Sequence, residues 1–109
     1  MDWNVQCDTV AALTVFDAAG DLTLVTLAAG LRAQLRAAHL ERLQASGPIG
    51  RLLARQVRAY GAEYQMTELG RAHSGLPDDV LNFQYDPVAC AVALGWSGTV
   101  RPPCTFARS

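Results

Sequence analysis

Two short polar clusters in this chain have residue types and spacing that could do chemistry. The first is Asp2 and Asn4, two positions apart at the start of the sequence. In an extended segment such residues point to the same side, so carboxylate and amide would project together while Trp3 faces the other way. That pair suits a vicinal diol, because carboxylate oxygens accept from hydroxyls and an amide both donates and accepts. The competing reading is a frayed, solvated terminus. The second cluster is Tyr85-Asp86-Pro87, which precedes the apolar run Val88 to Leu94. Asp86 reads as a helix N-cap with Pro87 at the first helical position. A cap needs one carboxylate oxygen, so the other could bind a hard cation such as Ca²⁺, while Tyr85 offers a hydroxyl to a substrate.

Other reactive side chains give weaker signals. His39 falls in a helical stretch and His73 in a loop, far in sequence from both clusters, so structural roles outweigh chemistry; His73 is the better outside candidate. Trp3, Tyr60, Tyr64 and Trp96 could stack on a flat ring, but packing in a core is the commoner fate of aromatic residues. Cys7, Cys90 and Cys104 are odd in number and in no C-x-x-C spacing, which argues against a disulfide framework and a zinc site. Cys90, inside the apolar run, reads as a small buried hydrophobe.

The elements that must hold these clusters are punctuated unevenly. Met1 to Cys7 alternates loosely, and Asp8 reads as the N-cap of a helix carrying Ala12, Val15, Phe16 and Ala19 at helical spacing, stopped by Gly20. Leu22 to Leu27 reads as a strand buried on both faces, which implies a parallel sheet covered by helices. Arg36 to Ala45 turns helical around Leu40 and Leu43 until Ser46-Gly47-Pro48 breaks it. In the next helix Ile49, Leu52, Leu53, Tyr60 and Tyr64 mark the apolar face, with Arg51, Arg55 and Arg58 opposite and solvated. Periodicity fades between Gln65 and Gln84, where Gly70, Ser74, Gly75, Pro77, Asp78 and Asp79 suggest a long loop bordering a site. The helix after Asp86 is expected to be deeply buried, and the tail around Pro102-Pro103 shows no pattern.

A fold with only one confident strand is incomplete, because its backbone donors and acceptors need neighbouring strands. The partners of Leu22 to Leu27 are therefore expected from residues outside this chain or from another chain. The 109 residues are half apolar and suffice for one domain, and the net charge of −1, with nine scattered arginines, offers no basic patch for nucleic acid. No apolar stretch long enough to span a bilayer and no secretory leader are visible, so a cytoplasmic protein without membrane partners is expected.

The order of these residues resembles the inosine-uridine-preferring family of nucleoside hydrolases. Asp2-Trp3-Asn4-Val5-Gln6-Cys7-Asp8-Thr9-Val10-Ala11-Ala12 is similar to that family's Glu-aromatic-Asn, three residues, Asp-Pro-Glu-Ala-Ala, with Val15-Phe16 matching the Val-Phe that follows. Leu24-Val25-Thr26-Leu27 looks like the next strand. Tyr85-Asp86-Pro87-Val88-Ala89-Cys90-Ala91 resembles the His-Asp-Pro helix start near the family's carboxyl terminus. The likeness runs from Asp2 to about Leu94.

The resemblance implies that residues 1–109 are the carboxyl-terminal part of a nucleoside hydrolase domain, an α/β fold with a mainly parallel sheet. Its reaction is cleavage of the N-glycosidic bond of a ribonucleoside to ribose and free base, with a Ca²⁺-bound water as nucleophile. Asp86 then matches a calcium ligand, Asn4 and Asp2 contact ribose hydroxyls, and Tyr85 stands where the family has a histidine that helps protonate the leaving base. Asp2 is a methylene shorter than the family's glutamate. Tyrosine, with a reference pKa of ~10 against ~6.5 for histidine, is the weaker acid near neutral pH. The family's amino-terminal aspartate cluster, which supplies the general base and most of the metal ligands, has no counterpart here, and Asp78-Asp79 lies in the wrong context to replace it. The chain alone is therefore expected to be inactive: a truncated hydrolase, half of a split enzyme, or a non-catalytic α/β binding or interaction module. The resemblance also suggests a homo-oligomer.

Overall fold

The computed structural model describes residues 2–96 and, for the backbone alone, 104–107. Of the tail after Trp96, expected to be patternless, 97–103 (with Pro102-Pro103) and 108–109 lie outside the described residues, whereas Cys104–Ala107 is a strand. The chain is mixed α/β and helix-rich, and it divides into two compact units, Met1–Leu31 with Tyr85–Ser109, and Arg32–Gln84.

The first unit begins with two short helices, α1 (Trp3–Cys7) and α2 (Thr9–Ala18), packed on each other. The expected extended start is instead helical. Asp2 caps it, Oδ1 accepting from the Asn4 N–H at 3.1 Å, and a capping carboxylate makes a helix cheaper than a strand that has no neighbour to pair with. Asp8 has extended backbone, ends α1 and caps α2, its Oδ1 accepting from the Ala11 N–H at 2.8 Å as its sequence position implies. Thr9 Oγ1 donates back to the Val5 carbonyl across this joint at 3.1 Å.

Strand β1 (Asp21–Leu24) is shorter than expected and alternates between exposed and half-buried positions. It pairs within the chain, antiparallel, with β4 (Cys104–Ala107), Asp21 opposite Ala107 and Leu24 opposite Cys104. Asp21-Leu22-Thr23-Leu24 is a period-two pattern with one polar face, the mark of an antiparallel strand. Val25 and Thr26 leave the ladder because the Thr26 carbonyl accepts from the Ala29 and Gly30 N–H groups at 3.0 and 3.2 Å, opening α3 (Leu27–Arg32).

Helix α7 (Tyr85–Ala93) starts one residue before Asp86. Asp86 thus lies in the first turn and is not the cap, and Pro87 sits where helical N–H groups have no intrahelical acceptor. The helix is not deeply buried: Val88 is, whereas Cys90 is exposed and Leu94 is 85% exposed.

In the second unit, α5 (Pro48–Glu63) packs against α4 (Leu40–Ala45), α6 (Met66–Ala72) and β3 (Val80–Phe83). Gly47 at φ 115°, a conformation that favours glycine, places Pro48 at the first turn of α5. The buried stripe of α5 is Gly50, Ala54, Val57 and Gly61, and not the large residues that the pattern singled out. Ile49, Leu52, Leu53, Tyr60 and Tyr64 are exposed. Small residues win the interior because they admit close neighbours: a Cβ on Gly61 would come within 3.0 Å of Leu81 Cδ2. Leu40, Ala54, Val57 and Leu81 form the core, with Leu35 and Leu43 packed against it.

The long loop expected from Gln65 to Gln84 is largely structured. Gln65, at φ 50°, opens α6, whose Met66 and Gly70 are buried, and Val80 in β3 is fully buried. Strand β3 pairs antiparallel with β2 (Gln34–Arg36), with a register shift between Leu35 and Arg36. Gln84 N–H extends this pairing to the Ala33 carbonyl at 2.8 Å. Arg36 to Ala45, expected as one helix, is thus the end of a strand, a 3-10 turn over Ala37–His39 and α4. Both ladders among the described residues are antiparallel, so these residues do not form the expected parallel sheet. Among them no helix is long and apolar enough to cross a membrane.

Candidate functional site

Asp2, Asn4, Tyr85 and Asp86 all belong to the first compact unit. Asp2 and Asn4 are related through the start of α1 and not by strand alternation. Because the hydrogen bond to Asn4 uses Oδ1, the second Asp2 oxygen is left for an outside donor. Asn4 is exposed in the first turn. The two can still meet hydroxyls, but as a capping carboxylate and a helical amide.

At the other cluster, α7 fixes Tyr85 and Asp86 as its first two residues. Asp86 is exposed in the first turn of α7, at the positive end of the helix dipole, which favours an anion. The Tyr85 ring rests on the backbone of Gly30, a buried position of α3 where an added Cβ would collide with ring atoms. That contact ties the Asp86 segment to the amino-terminal segment of the same unit.

The donor set does not fit Ca²⁺ on these residues alone. Calcium takes six to eight oxygen ligands, and among the described residues there is no group of three or more His, Cys, Asp or Glu side chains that could hold a metal ion. Asp86 offers at most two oxygens.

The second unit carries a feature that the sequence did not single out, an open cleft of about 420 Å³. Leu35, Leu43, Leu53 and Val57 make it apolar, Tyr60 adds an aromatic ring, and Gln56, Asn82 and Gln84 contribute amides. Apolar walls with a few amides suit an uncharged ligand carrying both donors and acceptors. One signal was available: Gln56 is the polar interruption in the arc of Ile49, Leu53 and Tyr60, and Asn82 and Gln84 are two apart. Tyr60 also stacks with Tyr64 at a centroid separation of 4.4 Å. Trp3, Tyr60, Tyr64 and Trp96 are all exposed, against the expectation of core packing.

Asp79 and His39 serve structure. Arg36 Nε donates to Asp79 Oδ1 at 2.6 Å, the Ala38 N–H reaches Oδ2 at 3.3 Å, and the Ala37 N–H donates to the Asp79 carbonyl at 2.9 Å. The hydrogen bond from Arg36 holds the Asp79 carboxyl below its ordinary pKa, outweighing the partial desolvation that pushes it up, and the Ala38 N–H adds to the lowering. His39 Nδ1 accepts from the Arg36 N–H at 3.3 Å, closing the same corner. His73 is exposed at the end of α6.

Compared with known proteins, the chain matches no family model, no curated protein and no solved structure.

Proposed function

We propose that this chain carries the ribose-binding and leaving-group side of a ribonucleoside hydrolase site of the inosine-uridine-preferring type. The water-activating carboxylates and the mainly parallel sheet of that fold then come from protein outside the described residues, on a longer chain or a separate one. The observation that carries the reading is the joining of the two motif-bearing segments: they share one compact unit, with Tyr85 seated on Gly30, although the whole of Arg32–Gln84 intervenes. In this reading Asp2 and Asn4 hold ribose hydroxyls and the Tyr85 hydroxyl donates a hydrogen bond to the departing base. Asp86 is one ligand of a Ca²⁺ whose other ligands lie elsewhere, and no step is assigned to the metal on this chain.

Titration of the ¹⁵N-labelled chain with inosine, uridine and ribose tests the reading. The amides of Asn4 and Asp86 are expected to shift together with either nucleoside, more weakly with ribose, and without release of free base. Unmoved Asn4 and Asp86 resonances at saturating nucleoside would count against it, and so would turnover by the isolated chain.

A second reading, a non-catalytic interaction module, is favoured by α2, which is strongly apolar yet has no buried residue. A helix apolar on all sides belongs in an interior. Stable association without nucleoside-dependent shifts supports this reading over the first.

A further inference from the structure

We draw no further inference here: the strongest candidate, the exposed apolar surface of α1 and α2 around Trp3, Val10, Leu13 and Val15, carries none because nothing in the structure shows what covers it.

Discussion

The ring of Tyr85 lies directly on the backbone of Gly30, so closely that Gly30 has no space for a side chain. The first residue of α7 is thereby anchored to α3, and with it the position of Asp86. Gly30→Ala is expected to force ring or helix to move, an overpacking cost of about 1–3 kcal/mol. Thermal unfolding reads it directly. Combining Gly30→Ala with Tyr85→Ala removes the colliding ring, so the double variant should lose less than the sum of the single losses. Strict additivity would mean that the ring and the glycine are not in contact.

Asp2 has a structural duty, as the cap of α1, that is separable from the proposed contact with ribose. Asparagine caps about as well as aspartate, whereas alanine costs about 0.5–2 kcal/mol at such a position. Asp2→Asn should therefore melt like the parent while weakening nucleoside-induced shifts, and Asp2→Ala should lower both. If Asp2→Asn binds nucleoside undiminished, the carboxylate plays no part in holding ribose. Asp8→Ala is the stability control: loss of the 2.8 Å bond to Ala11 should destabilise by about 1 kcal/mol.

Asp79 gives the fold a defined acid response. Its carboxyl titrates below its ordinary value, chiefly because Arg36 donates to it. A carboxyl depressed on folding contributes stability that is present above the unfolded pKa and is lost as pH falls through the folded pKa. Asp79→Asn should accordingly melt lower than the parent near neutrality, and the difference should close as pH drops below about 4, the ordinary carboxylate value. Melting curves across pH check the sign; a gap that widens in acid would contradict the assignment. The ion pair is partly exposed, so added salt should narrow the gap at neutral pH.

The elements legible in the sequence are those whose punctuation is local. Asp8 before α2 and Gly47-Pro48 before α5 are settled by nearest-neighbour chemistry, and the structure places helix starts at both. What escaped depends on tertiary choice. Alternation at Asp2-Trp3-Asn4 looks like a strand until the side chain of Asp2 engages the N–H two residues on. The interior side of α5 was decided by Gly50, Ala54, Val57 and Gly61, because Leu81 and α4 need close approach, whereas the larger residues were left outside. Likewise, β3 is short and follows glycines and a proline, so its burial under α5 and α6 has no periodic signature. Of the candidate site, the polar residues could be named in advance. The anchoring of Tyr85 by Gly30 and the amide-lined cleft could not, since both depend on positions distant in the chain.

The exposure of α2 leads to a prediction about the chain in solution. Val10 and Leu13 are 75% and 59% exposed, so they make few contacts whose loss would cost stability. Val10→Gln and Leu13→Gln keep or improve helix propensity and remove apolar surface from water. Each should leave unfolding within about 0.5 kcal/mol of the parent. Together they should reduce the binding of a hydrophobic dye and shift sedimentation toward the monomer, because contiguous exposed apolar area is what drives both. A loss of more than about 2 kcal/mol from either substitution, the size expected of a truncated core residue, would mean that α2 is buried in the folded chain. In that case the interaction-module reading, which rests on the exposure of α2, would lose its physical motive.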